Sequence, residues 1–148
     1  MLPFKRKMKH YLANLLYPNQ ITGGDTSNNT DGFAGSNATV SRDLTKSLRG
    51  AGSIKVATNN ANPYESGFFT ANGLIPGKTY IATVNLCGSG TVVVTTGSYQ
   101  TGEIVIGATF KPYSMEFVAT IAAPNIAVLT TTKQAAVFYM DGLRLKAK

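Results

Sequence analysis

Tryptophan is absent from these 148 residues, cysteine and histidine occur once each, and acidic side chains number only seven. Each shortage removes a class of chemistry. The lone Cys87 cannot close an internal disulfide and cannot build a cysteine-rich zinc site. Its expected place is a small apolar position buried in a strand. The lone His10 stands in a basic run near the N-terminus, so a Ser/His/Asp or Cys/His arrangement is not expected. The carboxylates Asp25, Asp31, Asp43, Glu65, Glu103, Glu116 and Asp141 fall in no motif for paired-acid glycoside hydrolysis. A phosphate-cradling glycine loop and a metal-ligand cluster are missing too. An enzyme is therefore not expected, and no apolar run is long enough for a membrane-spanning helix.

What is present is a β-forming chain. Hydrophobic residues make up 43% and charged residues 14%, a balance that favours a folded body over a disordered one. The length suits one domain, placed at 14–148 after a short arm at 1–13. Fifteen glycines and many Thr, Val and Ala residues favour an all-β fold. Alternating runs separated by turn residues predict strands over 53–58, 67–71, 79–86, 91–96, 103–110, 113–121, 126–131 and 135–145. The turns come from Asn59-Asn60, Asn62-Pro63, Pro76-Gly77, Gly88-Ser89-Gly90, Gly97-Ser98, Pro112 and Ala123-Pro124-Asn125. Eight strands at this spacing predict a two-sheet jelly-roll β-sandwich. Residues 20–49, rich in Gly, Asn, Thr and Ser, read as a long surface connection, with Ile21, Phe33, Val40, Leu44 and Leu48 holding it to the body.

The net charge of +7 is unevenly spread. Lys5, Arg6, Lys7 and Lys9 crowd the start, and Arg144, Lys146 and Lys148 close the chain. This reads as a nearly neutral body with basic ends, which argues against a nucleic-acid-binding face. In the arm, Met8, Tyr11, Leu12, Leu15 and Leu16 recur at helical spacing among the lysines. That stripe is the expected docking element for a partner protein. The start also imitates an export signal, but its apolar run is short, is broken by Asn14 and lacks a small-residue cleavage site before Pro18. Synthesis without export is expected.

The last strand-like run, Ala136-Val137-Phe138-Tyr139-Met140-Asp141-Gly142-Leu143-Arg144-Leu145, carries a glycine between apolar positions. Such a glycine predicts a bulge or a close backbone approach. Three other segments go with it in order: Asn14-Leu15-Leu16-Tyr17-Pro18-Asn19, Gly52-Ser53-Ile54-Lys55-Val56 and Pro76-Gly77-Lys78-Thr79-Tyr80. Together, from about Asn14 to about Leu145, they resemble the β-sandwich carbohydrate-binding modules of the family 4/9 type. The resemblance implies a jelly roll and, in many such modules, a structural calcium. Asp141 matches the closing-strand aspartate of that pattern and Asp25 is the candidate second ligand from the opening loop, with oxygen ligation as calcium requires. No other cofactor is implied. The resemblance also implies glycan binding, for which exposed aromatic platforms are needed. Tyr64 and Tyr99, flanked by turn residues, are the candidate glycan contacts, whereas Phe68 or Phe69 and Phe110 read as packing.

Two functions follow as expectations. The first is a virion structural protein of a bacteriophage, a capsid decoration or cement protein. Its arm and loops would bind the major capsid protein or another virion protein, with a homo-oligomer such as a trimer at a symmetry axis. The alternative is a carbohydrate-binding adhesion module of a phage fibre or of a larger enzyme. Neither reading involves nucleic acid or a membrane.

Overall fold

The computed structural model describes residues 32–48, 50 and 52–148. The basic arm, the opening Asn-Leu-Leu segment and Asp25 lie outside them. Ten strands are present: β1 Phe33–Ser36, β2 Ala38–Asp43, β3 Ser53–Thr58, β4 Ser66–Thr70, β5 Thr79–Gly88, β6 Thr91–Thr95, β7 Ile104–Val105, β8 Lys111–Val118, β9 Asn125–Thr130 and β10 Val137–Ala147. They form two five-stranded antiparallel sheets, ordered β1-β4-β9-β6-β7 and β2-β3-β10-β5-β8. The all-β sandwich is as the sequence predicts, and β3 coincides with its predicted run.

The inner faces of both sheets supply the core, because strand side chains alternate between the two faces. Ile54 and Val56 of β3, Leu86 of β5, Val92 and Val94 of β6, Phe117 of β8 and Phe138 and Leu145 of β10 are all buried in it. Gly67 of β4 sits directly over side chains of the facing sheet. A Cβ there would lie 2.5 Å from Val56 Cγ2 and 3.1 Å from Met140 Cε, so only glycine fits without displacing core side chains.

Three differences from the sequence reading have physical causes. The segment read as a surface connection holds β1 and β2. Apart from Phe33 and Val40 their side chains are small or polar, and both are edge strands, so neither shows a hydrophobic alternation. Between them Asn37, at φ +53°, carries the chain from one sheet to the other. The predicted strand at 103–110 shrinks to two residues, because Gly102 and Gly107 flank it and its pairing with β6 covers two residues only. Pro112, read as punctuation, lies inside β8, the edge strand of its sheet, where a missing N–H is tolerated.

The end of the chain departs furthest from expectation. Arg144, inside the predicted closing strand, and Lys146, beyond its predicted end, both belong to β10, the central strand of its sheet, rather than to a basic end outside the body. The predicted bulge is there. Asp141 pairs with Asn85 and Arg144 with Thr83, so β10 has one extra residue, and Gly142 takes φ +59°.

Candidate functional site

Among the described residues, three that are not glycine adopt left-handed backbone angles: Asn37 (φ +53°), Asn60 (φ +62°) and Tyr64 (φ +65°). Asparagine tolerates this region, but for a bulky aromatic it is strained by about 1–3 kcal/mol. The register places all three at one end of the sandwich. Ser36 faces Ser66 and Ala38 faces Thr58, so the corner at Asn37 sits between the two roots of the β3–β4 loop that holds Asn60 and Tyr64.

That loop is held from beneath by Glu65. Its side chain is fully buried, and a buried carboxylate demands donors. The Asn59 N–H donates to Glu65 Oε2 at 3.0 Å and the Asn62 N–H to Oε1 at 3.4 Å. The Glu65 backbone is held on both sides by Thr130: the Glu65 N–H donates to Thr130 Oγ1, and the Thr130 N–H donates to the Glu65 carbonyl. The Tyr64 N–H donates to the Thr130 carbonyl at 3.0 Å. Backbone and carboxylate together therefore fix Tyr64 in its strained conformation, with its side chain 61% exposed. At the same end of the sandwich is a shallow depression of about 270 Å³ lined by Asn37, Ala38, Thr39, Ala57, Asn59 and Asn62, with Tyr64 outside its lining. Carboxamides offer both donors and acceptors, so this end combines an exposed ring with a polar, uncharged floor.

The other predicted site residues are elsewhere. Tyr99 lies in the β6–β7 connection, in a tight turn where its carbonyl accepts from the Thr96 N–H and the Thr95 hydroxyl. Thr95 faces Ala127 while Tyr64 is tied to Thr130, so the backbone anchors of the two tyrosines lie about 10 Å apart along β9. The structure does not bring them together. Asp141 is buried, and it accepts from the Leu48 N–H at 2.6 Å and the Gly142 N–H at 2.7 Å. No group of three metal-ligating side chains occurs among the described residues. Phe69 is buried in the core, as a packing residue should be, and Phe68 and Phe110 are half-buried.

The sequence reading did not find the asparagines. Asn59-Asn60 and Asn62-Pro63 look like turn residues because they are turn residues; their second use depends on Asn37 arriving from a segment distant in sequence. It also missed Lys46, whose ammonium lies 5.4 Å from the centroid of the Tyr139 ring. The turn carrying Lys46 is held by Asp43. That carboxylate accepts from the Thr45 hydroxyl and from the N–H groups of Thr45 and Lys46, bonds that lower its pKa below the ordinary aspartate value.

No family model and no curated protein matches the sequence. Solved structures do match the fold. The CBM22-1 xylan-binding domain of Paenibacillus barcinonensis Xyn10C superposes with a TM-score of 0.63 at 8% identity, over 82% of this chain and 88% of that one. TmCBM61, solved with β-1,4-galactotriose, gives 0.62 at 13% identity over 91% and 99%. The enzymatically active domain of tailspike protein 4 of bacteriophage CBA120 gives 0.64 at 12% identity, where this chain spans 92% of itself but 22% of the longer tailspike. The fold is that of a carbohydrate-binding-module-like β-sandwich, which also occurs in a phage protein.

Proposed function

We propose that this chain is a non-catalytic sugar-binding module that stacks a saccharide ring on Tyr64 and hydrogen-bonds its hydroxyls through Asn37, Asn59 and Asn62. The observation that carries this reading is Tyr64 itself: a bulky, exposed ring at a left-handed φ, in a loop held by a buried carboxylate, at the same end of the sandwich as a carboxamide-lined depression. Strained residues persist where the surroundings over-determine them, and they cluster at binding sites. A pre-set platform also limits the entropy lost on binding. The fold's likeness to xylan- and galactan-oligosaccharide-binding modules supports the same reading.

The test is titration calorimetry with xylo-oligosaccharides and β-1,4-galacto-oligosaccharides. Tyr64→Ala should weaken binding at least about ten-fold, about 1.4 kcal/mol, with a nearly unchanged melting temperature, because the ring is exposed and alanine keeps the same left-handed cost. Tyr99→Ala, at the far end of β9, should leave that binding intact. Equal affinity in wild type and Tyr64→Ala would refute the site.

The virion reading keeps support from the tailspike likeness, which favours a fibre or tailspike adhesion role over capsid decoration. Attachment through residues 1–13 would be tested by removing them. Full association of the truncated chain with particles would end the arm hypothesis.

A further inference from the structure

We propose that the outward face of the C-terminal half of β10 is a second ligand surface, one that takes acidic polysaccharides bearing carboxylate or sulfate groups. It rests on the sugar-binding reading of the chain but not on Tyr64.

The bulge at Gly142 creates this surface. Up to Asp141 the strand turns Tyr139 and Asp141 to the outer face of the sheet, where Asp141 is buried and bonded to the Leu48 N–H, and turns Phe138 and Met140 into the core. The extra residue then shifts the alternation by one, so that Leu143 and Leu145 are buried and Arg144 and Lys146 emerge on the same face as Tyr139. Without the bulge the two cations would point into the sandwich. Arg144 and Lys146 are about 7 Å apart along the strand. Neither has an ion-pair partner among the described residues.

The acids nearby are already engaged. Asp141 accepts backbone N–H groups, and Glu116, across β5 from Lys146, pairs with Lys148 at 2.8 Å. Beside Arg144 stands Thr83, whose hydroxyl is bonded to that of Ser114 at 2.7 Å. The row therefore runs guanidinium, hydroxyl, hydroxyl across three strands, with an ammonium one step below. A guanidinium receives a carboxylate or sulfate through paired N–H donors. The hydroxyl pair can serve the hydroxyls of the same sugar.

A nucleic acid fits this face less well. Single-stranded binding relies on aromatic rings open to stacking, and Tyr139, the aromatic on this face, already has Lys46 over its ring.

The experiment titrates the isotope-labelled full chain, followed by amide NMR, with four probes: oligogalacturonate, a heparin oligosaccharide, a neutral xylo-oligosaccharide and a single-stranded DNA oligomer. Two variants separate the cationic regions, Arg144→Gln/Lys146→Gln on β10 and Lys5→Gln/Arg6→Gln/Lys7→Gln/Lys9→Gln in the arm. The acidic sugars should shift the amides of Thr83, Ser114, Arg144 and Lys146, and binding should weaken with added salt. The β10 variant should lose about ten-fold in affinity for them, about 1.4 kcal/mol, and keep the wild-type response to the neutral sugar. The inference fails if acidic sugars leave β10 unshifted, if the arm variant alone abolishes binding, or if DNA binds β10 more tightly. Tyr64-dependent binding of neutral sugar without acidic-sugar shifts overturns this surface alone. Shifts on β10 without Tyr64-dependent binding overturn the Tyr64 site and leave this one standing.

Discussion

Glu65 is the residue on which the exposed loop depends, although it touches no solvent. Its two oxygens accept from Asn59 and Asn62, and no cation pairs with it among the described residues. A buried carboxylate held by backbone amides stabilises only while every donor is met. Glu65→Gln keeps the volume but turns an NH2 group toward an N–H donor. The expected cost is about 1–3 kcal/mol, the penalty for an unmet buried polar group. Because that loop presents Tyr64, sugar affinity should fall along with stability. Urea unfolding and calorimetry on the same variant decide this. A variant that binds normally while less stable would mean that the Thr130 bonds alone position the ring.

At the scale of elements, β10 shows how one glycine sets the facing of a strand. Gly142 sits at φ +59°, a region that costs other residues about 1–2 kcal/mol. Gly142→Ala should lower the unfolding free energy by about that amount, with the slope of the urea transition unchanged. An unshifted midpoint would mean that the bulge can form without a left-handed residue. This element was legible in outline: a glycine among apolar positions announced the bulge. What it did to Arg144 and Lys146 was not legible, since reading them as a basic tail required no knowledge of where β5 ends. The alternation in Ser53-Ile54-Lys55-Val56 placed β3 directly. β1 and β2 carry no such pattern, because each contributes one apolar anchor, Phe33 or Val40, among glycine, small and polar residues, and both are specified by the neighbours they pair with. The candidate site divides the same way. Tyr64 stood out locally as an aromatic among turn residues, whereas its companion Asn37 enters only through the pairing of β1 with β4 and of β2 with β3.

For the whole molecule, the lone thiol offers a measure of how cooperatively the two sheets hold together. Cys87 is 2% exposed on β5, paired against Tyr139 of the central strand β10. A groove of about 440 Å³ runs above it between residues 45–48 and Phe110. Burial pushes its thiol pKa up, so even at neutral pH little reactive thiolate is present. In a sandwich whose strands pair across distant sequence positions, the sheets should open together rather than strand by strand. Labelling of Cys87 by a disulfide reagent should then be at least about a thousand-fold slower in the native chain than in denaturant, and should track global unfolding. Stabilising the chain with a sugar ligand would slow it further. Fast labelling in native buffer, insensitive to the core variant Phe138→Ala, would show a different motion: local lifting of the turn at Lys46 away from Tyr139. That outcome would also uncover the Tyr139 ring beside Arg144 and Lys146 on the outer face of β10. The rate of one thiol's reaction therefore bears on both the stability of the sandwich and the extent of the surface proposed on β10.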